Sequence, residues 1–263
     1  MVTPTELDFQ YLMQFMHSLA NAAKRITLSW YQKENHLQDK ADQTPVTIAD
    51  QETEQHLRSL IAEHFPDHGF LGEETGEKDL HAEYIWIVDP IDGTKNYTIG
   101  APIFGTLIAL LQDGAPIAGL LDMPVLQQRW FSYCGRSTEL NGETCQTDKC
   151  DQLATAIIHA TTPDMFNPRQ SRQFDHLSAH CRFRLFGKDC YAYGLLASGF
   201  LHLIMEADLK AVDILPLVPI IENAGGKITD WQGHPLSLKN HRTALASCNP
   251  VLHELALSRI SGL

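Results

Sequence analysis

The chain has 263 residues, 44% of them hydrophobic, which is enough for one large globular unit, or two smaller ones sharing a core, without disulfide or metal staples. Its 20 Lys and Arg against 32 Asp and Glu leave a formal charge of −12, which excludes nucleic-acid binding by basic side chains and means that an anion handled here needs local cations. No apolar run reaches the roughly 18 residues of a membrane span, residues 1–25 lack a basic-then-apolar leader, and the six cysteines form no C-x-x-C pair, so the expectation is a cytoplasmic protein with free thiols, no membrane partner and no zinc ribbon.

Leu7, Tyr11, Leu12, Phe15, Met16, Leu19, Ala22, Ala23 and Ile26 recur at spacings of three and four and predict an amphipathic helix over residues 5–31. Residues 38–47 are polar, contain Pro45 and read as a loop or hairpin. Helical spacing returns over 48–64 through Ala49, Leu57, Leu60 and Ile61, which puts Asp50 near the start of a second helix. A short strand at 69–71 leads into Gly72-Glu73-Glu74-Thr75. From Tyr84 the texture becomes β-rich: runs at 84–88, 104–111, 116–122 and 129–133, with Asp113-Gly114 as a hairpin signal, predict a meandering antiparallel sheet. Beyond Gly142, strands at 154–161, 183–186, 200–206, 227–229 and 244–247 alternate with helices at 168–180, 190–198, 214–224 and 250–260. The expected class is α/β in a layered α+β arrangement, alternating layers of helices and sheets. It forms one compact unit built from residues 1–142, helices plus antiparallel sheet, and residues 143–263, the α/β half.

The segment Trp86-Ile-Val-Asp-Pro-Ile-Asp-Gly-Thr94 carries the chemistry. Its apolar start reads as a buried strand, and at the strand's end Asp89 and Asp92 stand three residues apart around Pro90, so two carboxylates can point at one spot. Pro90 fixes φ and donates no hydrogen bond, which can leave the carbonyl of Ile91 as a third oxygen ligand. Gly93 lets the backbone come close to an anion, and the N–H groups of Gly93 and Thr94 can face a phosphate if a helical turn begins there. The alternative is an ordinary acidic turn. Taken alone, Glu73 and Glu74 read as solvated surface, and Asp213, ahead of an apolar run ending at Ala224-Gly225-Gly226, reads as a helix N-cap. Hard oxygen donors without paired His or Cys favour Mg²⁺ or Mn²⁺ over zinc or copper. His159, His180 and His202 read as structural or exposed, Trp86, Trp130 and Trp231 as packing residues, and no G-x-S-x-G surrounds Ser137 or Ser247 to suggest a serine hydrolase.

Together, Gly72-Glu73-Glu74, the segment 86–94 and an Asp ahead of a helix ending in Glu222-Asn-Ala-Gly-Gly226 resemble the three-part signature of the inositol monophosphatase family of metal-dependent phosphatases, with shared texture over about residues 39–231. Gly105-Thr-Leu-Ile-Ala109, Gly187-Lys-Asp-Cys-Tyr-Ala-Tyr193 and Leu217-Val-Pro-Ile-Ile-Glu-Asn-Ala-Gly-Gly226 are most similar to the histidinol-phosphate phosphatase branch. Two positions depart: Val212 precedes Asp213 where that branch more often has Tyr and the inositol enzymes Trp, and Asn223 replaces the usual Gly.

The resemblance implies the fold shared by inositol monophosphatases and fructose bisphosphatases, a homodimer, and two or three Mg²⁺ ions for which Mn²⁺ can substitute. It assigns Glu73, Asp89 and the Ile91 carbonyl to a first ion and Asp89, Asp92 and Asp213 to a second. It pairs Thr94 with Asp50 to activate water, gives Glu73 a catalytic part, and sets Lys40 at the outer edge. On the substrate side it implies Gly93, Thr94, Asp213, Asp189 and Glu206 against a small phosphorylated metabolite. Asp189, expected at a helix start, and Glu206 are the carboxylates that would favour a substrate carrying ammonium and imidazole groups over one offering only hydroxyls. The implied reaction is hydrolysis of histidinol phosphate, with inositol 1-phosphate or a nucleotide 3′-phosphate as alternatives; a non-catalytic regulatory protein of the same fold is the reading from a different class.

Overall fold

The computed structural model describes residues 9–33, 38–39 and 45–261. Helix α1 (Phe9–Trp30) turns Leu12, Phe15, Met16, Leu19 and Ala23 inward, as its spacing predicts; the expected start at residue 5 lies outside the described residues. A hairpin of β1 (Gln38–Asp39) and β2 (Pro45–Val46) leads to α2 (Ile48–His64). That helix begins with Asp50 at its third position, where the buried carboxylate accepts the N–H and hydroxyl of Thr47 at 2.7 and 2.6 Å.

The first sheet has eight strands: β3 (Gly69–Gly72), β4 (Glu77–Lys78), β5 (Tyr84–Asp92), β6 (Gly105–Gln112), β7 (Ala115–Met123), β8 (Gln128–Tyr133), β9 (Glu139–Leu140) and β10 (Glu143–Thr144), with a short helix α3 (Thr94–Thr98) after β5. Their spatial order is β10-β9-β8-β7-β6-β5-β3-β4. The meander is antiparallel as expected, but β3 joins it parallel to β5, because β4 folds back on the outer side of β3 and the chain then crosses to the inner side. Side chains alternate across the sheet. Trp86, Val88, Ile108, Leu110 and Leu120 face α1 and α2, while Ile85, Ile87, Leu107, Ala109, Leu121 and Trp130 face the other way.

The second sheet, β12-β11-β13-β15-β14, is made of β11 (Ile157–Ala160), β12 (Phe183–Phe186), β13 (Leu203–Ala207), β14 (Lys227–Thr229) and β15 (Thr243–Ser247). Helices α4 (Pro168–Ser178) and α8 (Pro250–Ile260) share a core with its outer face. Between the two sheets lie α5 (Tyr191–Ala197), α6 (Ala211–Ile214) and α7 (Leu217–Asn223), whose apolar residues form one cluster with Ile87 and Leu121 from one sheet and Ile204 and Ala246 from the other. The order of layers is helix, sheet, helix, sheet, helix.

Three predicted elements are corrected. The helix expected at 214–224 is split into α6 and α7 at Pro216, which has no N–H to continue the ladder. The strand expected at 154–161 begins with a 3₁₀ turn, Leu153–Thr155, and the one expected at 200–206 starts at Leu203, leaving Phe200 71% exposed. The α6–α7 junction comes down directly on β7: a Cβ on Gly119 would lie 2.0 Å from the carbonyl oxygen of Pro216.

Candidate active site

In a regular strand Asp89 and Asp92, three residues apart, would point to opposite faces. Asp89 pairs with Leu107 and Asp92 with Gly105, so β5 holds one extra residue between them, a bulge that returns Asp92 to the face of Asp89. The Thr106 hydroxyl supports the bulge by donating to the Pro90 carbonyl at 2.9 Å, and the Ile91 N–H donates to Asp89 Oδ1 at 3.0 Å. Because β3 runs parallel to β5, its end delivers Glu73 alongside: Gly72 registers with Val88, and the Glu73 N–H donates to the Val88 carbonyl at 3.3 Å. From the middle layer, the N–H of Cys190 donates to Asp92 Oδ2 at 2.6 Å. Asp213 does not precede its helix. It is the third residue of α6, where its carboxylate accepts the Lys210 N–H at 2.7 Å, while Lys210 Nζ lies 3.2 Å from Glu73 Oε1.

This convergence is electrostatically costly. Burial pushes the Asp89 carboxyl well above the usual range, and the charges of Glu73, Asp92, Asp213 and Asp50 push it further. Asp92 is raised by burial and then by Asp189 and Asp213, against the help of the Cys190 N–H. Asp213 is raised to about 7, by burial first; the Lys210 N–H and ammonium pull it back, while Glu73 and Glu206 add to the rise. A site of mutually repelling oxygens, all from carboxylates and a backbone carbonyl, fits hard divalent cations such as Mg²⁺ or Mn²⁺, whose charge would reverse each of these shifts.

Asp50 is fully buried and raised to about 7, by burial ahead of Glu74 and Glu73, with the Thr47 bonds opposing. Its Oδ1 has no hydrogen-bond partner among the described residues. The Thr94 hydroxyl donates to the Ile91 carbonyl at 3.1 Å, so no direct hydrogen bond joins Thr94 to Asp50. Gly93 adopts the left-handed conformation, φ +86°, that starts α3. Lys40 lies outside the described residues.

Asp92, Asp189, Glu206 and Asp213 share the wall of a cavity of about 190 Å³ with Thr161, Met165 and Tyr193. Asp189 is not a helix cap. It sits two residues before α5 with φ +44°, and its carboxylate accepts from the Asn96 side chain. Both oxygens of buried Glu206 are taken, Oε1 by the Thr161 N–H and hydroxyl at 2.9 and 2.6 Å and Oε2 by the Tyr193 hydroxyl at 2.8 Å. Sequence reasoning missed the Lys210 ammonium, Asn96 and the Cys190 N–H, which meet Glu73, Asp189 and Asp92 across long stretches of chain that carry no local signal. Asp148, Cys150 and His202 form a second, separate cluster. There His202 Nδ1 accepts the Ile157 N–H at 2.9 Å, which leaves the ring proton on Nε2, facing Asp148 Oδ1 at 3.7 Å, so neither ring nitrogen offers a free lone pair to a metal.

The sequence pattern of the inositol monophosphatase family matches residues 8–262. The chain belongs to the inositol monophosphatase family. Similar members include the chloroplastic bifunctional phosphatase IMPL2 of Arabidopsis thaliana, 43% identical over 250 residues that cover 93% of this chain and 72% of that one. The histidinol-phosphatase of Mycobacterium tuberculosis is 32% identical over 229 residues, 84% of this chain and 86% of that one. Among solved structures, an inositol monophosphatase from Zymomonas mobilis superposes with a TM-score of 0.88 at 36% identity, covering 97% of this chain and 99% of that one. The family and the layered fold expected from the signature are both borne out, and the chain is an inositol monophosphatase-family phosphatase. Among the described residues, no helix is long and apolar enough to cross a membrane.

Proposed function

We propose that this phosphatase hydrolyses histidinol phosphate to histidinol with Mg²⁺, or Mn²⁺ in its place, held by Glu73, Asp89, the Ile91 carbonyl, Asp92 and Asp213. The observation that carries the cation assignment is the meeting of Glu73, Asp89, Asp92 and Asp213 at the ends of β3 and β5 and in α6, where burial and neighbouring charge raise the carboxyls of Asp89, Asp92 and Asp213. When bound, such ions polarise the phosphoryl group, acidify a water and steady the leaving alkoxide. The chain supplies the rest. The N–H groups of Gly93 and Thr94 hold phosphate oxygens, Thr94 Oγ1 orients the attacking water, and Asp50, whose Oδ1 has no partner among the described residues, is the proton acceptor behind it.

The choice of histidinol phosphate is supported by the names of the similar histidinol-phosphatases and by two carboxylates, Asp189 and Glu206, in the cavity beside the cation ligands. Glu206 is already saturated by hydrogen bonds, so it shapes the cavity and adds charge, and direct pairing with a substrate cation falls to Asp189. The second reading, inositol 1-phosphate, is favoured by the likeness to the Zymomonas enzyme. A phosphate-release panel with histidinol phosphate, inositol 1-phosphate, fructose 1,6-bisphosphate and adenosine 3′,5′-bisphosphate under equal Mg²⁺ separates them. Preference for histidinol phosphate, loss of turnover in chelator and inactivity of Asp89→Asn are expected; turnover persisting in excess chelator refutes the cation assignment, and preference for another ester refutes the substrate.

A further inference from the structure

Asp50, Glu54 and Arg58 are spaced by four on α2 and so lie on one face of that helix. Glu54 is fully buried, although it stands beside a site already crowded with carboxylates. Its Oε2 accepts the N–H of Glu74 at 2.8 Å, and its Oε1 accepts both the N–H and the hydroxyl of Thr75 at 2.6 Å. One turn on, Arg58 Nη1 donates to the carbonyl and the hydroxyl oxygen of Thr75 at 2.7 and 2.8 Å. The carboxylate also occupies the space a side chain at position 72 would need: a Cβ on Gly72 would lie 2.1 Å from Glu54 Oε1. The glycine of Gly-Glu-Glu therefore belongs to the same device, since only a bare Cα lets the carboxylate reach past it.

We propose that Glu54 is a positioning residue for Glu73, fixing the loop after β3 from the helix side while the Val88 carbonyl holds the Glu73 N–H from the sheet side. A buried carboxylate is costly unless its oxygens are satisfied, and here both are used on consecutive backbone N–H groups next to Glu73. The effect is to set where the Glu73 carboxylate points before any cation arrives. The inference rests on the reading that Glu73 holds a divalent cation.

The experiment is calorimetric titration of Mn²⁺ into the full chain and into Glu54→Gln, Glu54→Asp and Arg58→Met, together with amide hydrogen exchange across residues 72–76. Positioning predicts a 10- to 100-fold weaker affinity in Glu54→Gln, the usual size for loss of a group that orients a ligand. Glu54→Asp keeps the charge but falls short by one methylene and should weaken binding comparably. Arg58→Met should weaken it several-fold, although it removes a positive charge. Amides of the loop should exchange faster in all three while those of β5 and β6 keep their protection, which separates a loosened loop from a destabilised fold. At saturating Mn²⁺ kcat should largely recover, with the half-saturating cation concentration still raised. Wild-type affinity in Glu54→Asp, tighter binding in Arg58→Met, or unchanged loop exchange would show that Glu54 contributes charge alone and would overturn the proposal. A wild-type chain that takes up no Mn²⁺ would instead overturn the cation reading itself and this inference with it.

Discussion

Gly119 lies in the middle of a central strand, registered with Ala109 on β6 and Ser132 on β7's other neighbour, β8, so it cannot retreat without breaking two ladders. Replacing it with Ala puts a Cβ 2.0 Å from the Pro216 oxygen and 3.1 Å from its carbonyl carbon, where real contacts stay above about 3.0 Å. The α6–α7 junction must therefore lift by about 1 Å. That strains the bonds that hold α7 down, the Ser132 hydroxyl to the Pro219 carbonyl at 2.9 Å and the Thr138 hydroxyl to the Ile220 carbonyl at 2.8 Å. Overpacking of this kind costs about 1–3 kcal/mol. Asp213 stands three residues before Pro216, and a misplacement of about 1 Å in a reacting constellation costs on the order of 10²-fold in rate. Urea denaturation and phosphate release measured on Gly119→Ala should show both losses together. Gly114→Ala is the control: its φ of +80° makes the change strained, but no atom lies within 4 Å of the new Cβ, so stability should fall without loss of rate. A Gly119→Ala enzyme with wild-type stability and rate would refute the idea that this close approach fixes Asp213.

Thr94→Ala should leave Mn²⁺ affinity in calorimetry near wild type and lower kcat by about 10²–10⁴-fold, the range for lost acid–base assistance; an unchanged kcat removes Thr94 and Asp50 from the proton path. Asp189→Asn should lower kcat/KM for histidinol phosphate more than for inositol 1-phosphate, whereas Glu206→Gln, whose carboxylate is held by Thr161 and Tyr193, should lower both. Equal losses in Asp189→Asn would sink the pairing with a substrate cation. His253 is 3% exposed, and burial, with Lys227 adding, lowers its pKa from 6.5 to about 4. Because the folded value lies below the unfolded one, the associated stability is complete above pH 6.5 and is lost as pH falls toward 4, a change of about 3 kcal/mol. Asp89, Asp92 and Asp213, raised in the folded state, titrate in the opposite sense, so the readout is the difference between wild type and His253→Gln in urea at pH 7.5 and 4.5. A difference that does not move with pH contradicts the burial argument.

Much of this architecture was legible because it is periodic or local. The three-and-four spacing gave α1 and α2, the alternation gave β5 to β8, and Asp-Pro-Ile-Asp-Gly gave the paired carboxylates. Glu73 and Asp213 were ambiguous taken singly and became informative through their order along the chain. What could not be read depends on contacts between distant segments. The bulge in β5 is defined only by its register with β6, and the parallel entry of β3 depends on which side β4 takes. The break at Pro216 was visible as a residue, but the apolar pattern runs across it and masks the split. Glu54 had a signal, its four-residue spacing from Asp50 and Arg58, yet a glutamate on a helix is ordinarily solvated, and only the loop after β3 explains its burial.

The middle layer of helices dictates the order in which this molecule can assemble. Neither sheet can bury its inner face until α5, α6 and α7 lie between them, so the contacts that close the central core join residues far apart in the chain and are slow to form. Glu73, Asp89 and Asp92 already meet at the strand ends of the first sheet, but Asp189 and Asp213 join them only in that closing step. The repulsion that Asp189 and Asp213 add thus falls on a late event of refolding, so a cation held across both halves would act as a latch on a nearly finished structure and not as a seed for its beginning.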